Sequence, residues 1–151
     1  MLTVKDKKFV PFIDKQVLEE RIAELGYKIS EDYHDKNPLF VVVLNGAFLF
    51  AAELLKNVRI PCEITFVRVS SYSKTESTGQ LTEILGLKEP IQGRDVIIVE
   101  DIVDTGLTMN KLLFQLSVQK PNSIQVASML FKPVALKTPL TVKYVGFEIE
   151  N

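Results

Sequence analysis

Three acidic side chains and a glycine turn follow one strongly apolar run of this chain. The stretch reads VIIVEDIVDTGLTM over residues 96–109. Its first four residues are apolar and β-branched, which is typical of a strand buried on both faces. Glu100 and Asp101 follow that run, and Thr105-Gly106 then opens a helix-like segment. Carboxylates in such a place can hold a metal ion or a sugar, and a glycine turn at a helix start can hold a phosphate.

The glycine turn has the features of a site for one phosphate group. Gly106 permits a ligand to approach the backbone closely. The hydroxyls of Thr105 and Thr108 add polar groups to the free N–H groups of a helix start. The stretch contains no lysine and matches neither a Walker A loop nor a G-x-G-x-x-G fingerprint. We therefore expect a single terminal phosphate here, rather than a nucleoside triphosphate or a dinucleotide.

Glu100 and Asp101 should face another part of the ligand, because carboxylates repel phosphate. They can accept hydrogen bonds from a sugar diol, or they can hold a Mg²⁺ ion that is shared with the ligand. A phosphorylated ribose offers both ends. The alternative is that the two acids are solvated side chains at a sheet edge and that Thr105-Gly106 is an ordinary helix entry.

Alternating apolar and helical segments must position these residues. The first helix should begin after Asp14 and end near Gly26, with an apolar stripe that includes Val17. The remaining segments predict strands over residues 38–44, 62–70, 80–86, 95–100, 123–131 and 142–149, and helices over residues 47–57 and 107–119. This order predicts an α/β domain around a mainly parallel sheet.

Ligands of such sheets bind beyond the carboxyl ends of the strands. Two loops lie at that edge, residues 44–46 and residues 100–108. They should share one crevice if their strands are neighbours.

Length, charge and cysteine content restrict the class of protein. The chain has 151 residues, which suits one domain. Its 18 Lys and Arg against 19 Asp and Glu provide no large positive field, so we expect no nucleic-acid partner. The single cysteine, Cys62, fits the reducing cytoplasm. No apolar run approaches the ~18 residues that a membrane span needs, so we expect no membrane partner.

Residues 96–109 closely resemble the phosphoribosyl-pyrophosphate signature of the type I phosphoribosyltransferases. Further segments, LNGAFLF, VRVSSYSKTESTG, LFKP and YVGFEIEN, resemble the hypoxanthine-guanine branch of that family. The resemblance implies a Rossmann-like fold, with a mainly parallel sheet flanked by helices and a small hood over the base. It also implies purine salvage: Mg²⁺-dependent transfer of the 5-phosphoribosyl group from phosphoribosyl pyrophosphate to hypoxanthine or guanine, which gives IMP or GMP and pyrophosphate.

The resemblance assigns roles to the acids and to the phosphate turn. It implies that Glu100 and Asp101 hold the ribose hydroxyls, and that both act with Asn151 as ligands of Mg²⁺. Asp104 is implied to be the general base near N7 of the purine. The 5′-phosphate is implied to be wrapped by Thr105, Gly106, Leu107 and Thr108. Many relatives have lysine where Leu107 stands, so only a backbone contact is expected from that residue.

Two loops are implied to complete the pyrophosphate side. Leu44, Asn45 and Gly46 resemble the family's pyrophosphate loop, whose first peptide bond is often cis; a plain strand-to-helix turn is the alternative. Ser71 and Tyr72, in a segment rich in Ser and Thr, resemble the flexible loop that closes over the reacting centre and excludes water.

The base side is implied to consist of three residues near the end of the chain. Lys132 is expected against the 6-oxo group and N7 of the purine, because an ammonium group donates to a carbonyl oxygen. Tyr144 is expected to stack on the base, and the backbone of Val145 is expected to read its Watson–Crick edge.

We expect a single domain over residues 1–151 that lacks the family's C-terminal tail. Asn151 stands where many relatives have an aspartate that helps to hold magnesium. A homodimer or homotetramer is expected. Two other functions stay open: a non-catalytic regulator on the same fold that senses phosphoribosyl pyrophosphate, and a receiver domain that would explain Glu100 and Asp101 but not residues 105–108.

Overall fold

A six-stranded sheet forms the centre of the computed structural model, which describes residues 1–72 and 81–151 without the side chains of residues 71, 72 and 81–83. The elements in chain order are β1 (Leu2–Val4), β2 (Lys7–Phe9), α1 (Lys15–Asp32), β3 (Leu39–Leu44), α2 (Phe48–Lys56), β4 (Glu63–Tyr72), β5 (Leu81–Leu85), β6 (Asp95–Val103), α3 (Leu107–Ser117), β7 (Ser123–Phe131), a 3₁₀ turn (Pro133–Ala135) and β8 (Tyr144–Glu148).

The sheet has the order β5-β4-β3-β6-β7-β8. Its strands pair in parallel except β4 and β5, which form an antiparallel hairpin at one edge. Helices α1 and α2 pack on one face, and α3 packs on the other. The predicted α/β class, with a mainly parallel sheet flanked by helices, is therefore confirmed.

Strand β3 is apolar throughout because it is covered on both faces. Phe40 and Val42 point into the core beneath α1 and α2, whereas Leu39 and Val41 point into the core beneath α3. All four side chains are at most 1% exposed. Such two-sided burial is what a continuous apolar run predicts for a central parallel strand.

Helix α1 is longer than the sequence pattern predicted, because Gly26 does not end it. A Cβ at Gly26 would lie 2.6 Å from the Cβ of Asn57, the residue that ends α2. The glycine is therefore explained by close contact between the two helices and not by a helix stop. Val17, which was expected in the apolar stripe, is 48% exposed.

Three strands differ from the prediction. The β6 strand continues through Glu100 and Asp101 to Val103, because its ladder with β7 extends to the pair Val103 and Phe131. The two short strands β1 and β2 form an exposed hairpin that the sequence pattern did not reveal.

The sheet brings the predicted loops together. Strands β3 and β6 are parallel neighbours, paired from Leu39 with Val96 to Val42 with Val99. Their carboxyl ends therefore lie side by side at the same edge of the sheet, which is the condition for a crevice shared by the two loops. No helix in the described part of the chain is long and apolar enough to cross a membrane.

We predict that Gly26→Ala destabilises the protein, although alanine is the better helix former. The gain in helix propensity is about 1 kcal/mol. The added methyl group would collide with the Cβ and backbone of Asn57, and such overpacking costs about 1–3 kcal/mol. Urea unfolding should give a lower free energy of unfolding for the variant, and an increase would contradict the close helix contact.

Candidate active site

The turn before α3 has the backbone conformation expected of an anion site. Gly106 is the N-cap of the helix and has a left-handed conformation, with φ of 78°. The Leu107 N–H lies 3.4 Å from Thr105 Oγ1, while the Asn110 N–H donates to the Gly106 carbonyl at 2.9 Å. A small cleft of about 120 Å³ lies at this turn. Its lining includes Thr105, Gly106 and Thr108 of the predicted phosphate turn.

Glu100 is a half-buried residue that lines the same cleft. Its Oε1 accepts a hydrogen bond from the Asp101 N–H at 3.1 Å. The pKa of Glu100 is raised to about 8, mainly by burial and also by a hydrogen bond with the Asp101 side chain and by the charge of Asp101. A cation beside Glu100 would favour its ionised form.

Asp101 joins the acidic pair to the loop after β3. One of its side-chain oxygens accepts the Ile102 N–H at 2.9 Å. A Cβ at Gly46 would collide with the Asp101 carboxylate, so a larger residue there would displace that side chain. The Leu44-Asn45 peptide bond is cis, as the resemblance implied. Asp101 also lines a second cleft of about 380 Å³ between the helices α1 and α2 and the sheet.

Asp104 and Lys132 lie side by side, although 28 positions separate them in the chain. The Lys132 N–H donates to the Val103 carbonyl at 2.9 Å, which fixes the start of the loop after β7. Its ammonium nitrogen lies 3.9 Å from Asp104 Oδ1. The side chain of Asp104 is 53% exposed and that of Lys132 is 21% exposed. The structure thus brings together the predicted general base and the residue expected to contact the purine.

Tyr144 cannot stack on a ligand in this structure. Its side chain is 1% exposed, and its hydroxyl donates to Asp32 Oδ2 at 2.7 Å beneath α1. In the ladder of β7 and β8, Tyr144 pairs with Ala127, four residues before the last pair, Phe131 with Glu148. That spacing places it about 13 Å from the carboxyl edge. The predicted role of Tyr144 is therefore wrong, because the pleat of β8 turns the phenol into the core.

Val145 is equally removed from a ligand. Its backbone is paired with Ser128 of β7. Its carbonyl and that of Gly146 accept hydrogen bonds from the Arg21 guanidinium, at 2.8 and 2.9 Å. The prediction that this backbone reads a base edge is wrong for this reason.

The remaining predicted site residues have less defined surroundings. Ser71 and Tyr72 end β4, paired with Thr82 and Leu81, but their side chains lie outside the described part of the structure. Asn151 is exposed, three residues after the end of β8 at the carboxyl edge of the sheet.

Sequence reasoning missed Arg68. It pairs with Leu44 across β4 and β3, and its Nη2 donates to Asn45 Oδ1 at 2.9 Å. The signal in the sequence was an isolated arginine in the strand segment FVRVSSY, but its partner became visible only with the strand pairing.

The carboxyl groups of Glu100 and Asp101 suit only a Mg²⁺ ion that takes its other ligands from water and substrate. Among the described residues, no group of three His, Cys, Asp or Glu side chains gathers into a possible metal site. Mg²⁺ commonly takes one or two carboxylates and completes its shell with water and substrate phosphates. The site therefore suits an ion that is shared with a ligand, and it does not suit a cage built by protein alone.

Comparison with known proteins identifies the family. The family model described as the phosphoribosyl transferase domain matches residues 13–151. The chain belongs to the phosphoribosyltransferase family. It is similar to the hypoxanthine-guanine-xanthine phosphoribosyltransferase of Tritrichomonas foetus, with 44% identity over 89% of this chain and 74% of the relative. A hypoxanthine-guanine phosphoribosyltransferase of Dictyostelium discoideum is 40% identical over 93% of this chain and 80% of the relative.

A solved structure agrees with the fold of this phosphoribosyltransferase. The crystal structure of a hypoxanthine-guanine phosphoribosyltransferase from Bacillus anthracis superposes with a TM-score of 0.83 at 33% identity. The match covers 93% of this chain and 81% of the other. The predicted family and fold are thus confirmed.

We predict that Glu100→Gln makes the stability of the ligand-free phosphoribosyltransferase less dependent on pH. The folded chain keeps the Glu100 proton up to about pH 8, whereas the ordinary pKa of a glutamate is 4.5. The stabilisation from protonated Glu100 is therefore complete below about pH 4.5 and falls by roughly 1.4 kcal/mol per unit as the pH rises toward 8. Urea unfolding between about pH 5.5 and 7.5 should give a flatter slope for the variant, and identical slopes would disprove the effect of burial.

We also predict that Gly106→Ala weakens the binding of phosphoribosyl pyrophosphate. The variant must hold alanine at a left-handed φ, which costs about 1–2 kcal/mol, and its methyl group would come within 2.8 Å of Leu136. Gly93→Ala is the matched control, because Gly93 has φ of 70° but nothing within 4 Å of an added Cβ. Both variants should lose stability, whereas calorimetry should detect weaker binding only for Gly106→Ala. Equal affinities of the two variants would show that the turn does not hold the ligand.

Proposed function

We propose that this phosphoribosyltransferase transfers the 5-phosphoribosyl group of phosphoribosyl pyrophosphate to a 6-oxopurine, hypoxanthine or guanine, in purine salvage. The observation that supports this most is the placement of Asp104 and Lys132 beside the phosphate turn of α3. A carboxylate and an ammonium group, one a proton acceptor and the other a donor, therefore stand next to the turn that is proposed to hold a sugar phosphate.

The order of the strands suggests how the substrate lies. The 5′-phosphate would occupy the turn of residues 105–108 at the start of α3. The ribose hydroxyls would face Glu100 and Asp101. The pyrophosphate would lie toward the loop of residues 44–46, which contacts Asp101.

Magnesium would be held at Glu100 and Asp101 together with oxygens of the substrate. When bound, the ion would neutralise charge on the pyrophosphate as this group leaves. Because the pKa of Glu100 is raised without a cation, this carboxyl would have to lose its proton when the ion binds. Asn151 remains a proposed additional oxygen ligand.

Asp104 and Lys132 would act on the base. As N9 of the purine forms its bond to C1 of the ribose, the bond from C1 to the pyrophosphate oxygen breaks. The proton on N7 then passes to the Asp104 carboxylate. Lys132 would donate to the 6-oxo group, and it would be a poor partner for a 6-amino group because an ammonium group has no acceptor.

The other expectations remain proposals. Ser71 and Tyr72 are proposed to belong to a loop that covers the reacting centre, and Leu107 is proposed to offer only its backbone to the phosphate. The single cysteine supports a cytoplasmic location, and assembly as a homodimer or homotetramer is proposed from the family. Neither the sensor nor the receiver-domain alternative has comparable support, since the relatives named above are all transferases.

The test is spectrophotometric turnover of hypoxanthine, guanine and xanthine with phosphoribosyl pyrophosphate and Mg²⁺. Nucleotide formation from hypoxanthine or guanine is expected, and EDTA should abolish it. Absence of any turnover with all three bases would refute the proposal.

Asp104→Asn is predicted to lower kcat by about 10²–10⁴-fold, which is the usual contribution of a general base. The Michaelis constants should stay within a few-fold, because the amide keeps the shape of the side chain and loses mainly an interaction made in the transition state. Steady-state kinetics measures both quantities. A normal kcat, or a defect confined to the Michaelis constants, would give Asp104 a different role.

A further inference from the structure

Arg68 lies against the loop that is proposed to take the pyrophosphate. It pairs with Leu44 in the ladder of β4 and β3, so its side chain projects at the carboxyl end of β3. Its guanidinium donates to Asn45 Oδ1 at 2.9 Å. Arg68 is solvent-exposed, and Asn45 holds it over the loop. Within the described part of the chain, Asn45 is the only hydrogen-bond partner of the guanidinium, which has five N–H donors.

The charges of the crevice indicate what Arg68 could bind. Glu100, Asp101 and Asp104 give the crevice three carboxyl groups, and the loop of residues 44–46 has no charged side chain. Pyrophosphate, a highly charged anion, needs positive charge beside that loop. Lys132 is placed at the other side, next to Asp104.

The strand order places the positively charged side chains of Arg68 and Lys132 apart from each other, as a displacement reaction requires. Arg68 is on β4, the acids are on β6 and Lys132 follows β7, in a sheet ordered β4-β3-β6-β7. In a displacement at C1 of the ribose, the leaving pyrophosphate and the entering base lie on opposite sides of the sugar. Arg68 and Lys132 stand on opposite sides of the strand that is proposed to hold the ribose.

We propose that Arg68 is a pyrophosphate-binding residue of this enzyme and that Asn45 is its positioning residue. The inference rests on the proposed function and adds a specific contact to it. A guanidinium group suits this position because its planar set of donors can bind two phosphate oxygens at once. The carboxamide oxygen of Asn45 fixes the direction of that plane.

The test separates pyrophosphate from nucleotide binding. In Arg68→Gln, the inhibition constant for pyrophosphate with Mg²⁺ and the Michaelis constant for phosphoribosyl pyrophosphate should rise roughly 10-fold, as expected from the loss of a hydrogen bond to a charged group. The dissociation constant of IMP should change less than about twofold, because IMP has no pyrophosphate. Arg68→Lys should recover part of the loss, since it restores the charge without the planar set of donors.

Arg59→Gln is the matched control. Arg59 is also exposed, and its guanidinium lies over the ring of Tyr27, with 5.6 Å from Cζ to the ring centroid. This variant loses the same charge without touching the loop, so its constant for pyrophosphate should stay at the level of the natural protein. A rise equal to that of Arg68→Gln would mean that only net charge matters, and it would overturn the assignment.

Asn45 is tested through a double variant. Asn45→Ala should weaken pyrophosphate binding by itself, yet Arg68→Gln with Asn45→Ala should be no weaker than Arg68→Gln alone, because Asn45 acts through the arginine. Additive losses would refute the positioning role.

Two further results would refute the pyrophosphate-binding role of Arg68, and one would refute the proposed function. Normal pyrophosphate constants in Arg68→Gln, or equal losses for pyrophosphate and IMP, would overturn the inference while turnover by the natural protein left the proposed function intact. A natural protein that neither makes nucleotide nor binds IMP would refute the proposed function, and the inference with it.

Discussion

The parallel pairing of β3 with β6 is the constraint on which the crevice depends. Both strands are buried on both faces, so their register is fixed by the packing of apolar side chains above and below the sheet. This register brings Gly46 into contact with the Asp101 carboxylate. A slip of two residues, which would keep every side chain on its face, would move the two loops apart by roughly 7 Å. The acids would then no longer lie beside the loop of residues 44–46.

The remaining parts of the site are attached to this pair on either side. Strand β4 brings Arg68 to the loop after β3, and β7 brings Lys132 to Asp104 after β6. Each of these contacts joins residues from neighbouring parallel strands at the same edge. The site is thus a row of strand ends, in which the order of the strands sets the order of the chemical groups.

Much of this arrangement could be predicted from the sequence, because local physical chemistry dictates it. The apolar runs of β3 and β6 have no alternative to burial, and Gly106 indicates a left-handed turn that few other residues adopt. The strand order, the contact between Arg68 and Asn45, and the depth of Glu100 depend on pairing between distant segments. No local pattern contains that information.

The errors have a common physical reason, since each assigned a role to a residue type without knowing its surroundings. Gly26 was interpreted as a helix end because glycine often ends helices, but the crossing of α1 and α2 requires a residue without a side chain. Tyr144 was assigned to the ligand through the resemblance to the family. Side chains of β8 point alternately to the two faces of the sheet, and Tyr144 points to the face beneath α1. There its hydroxyl donates a hydrogen bond to Asp32.

The burial of Tyr144 also gives the molecule an optical reporter of its own folding. The chain has four tyrosines and no tryptophan, so its near-ultraviolet absorption comes largely from phenol groups. Tyr144 and Tyr33 are both buried in the core beneath α1. Burial raises the pKa of both phenols. At alkaline pH these two groups therefore resist ionisation while α1 remains docked, and the appearance of their phenolate absorption follows the detachment of that helix rather than events in the crevice.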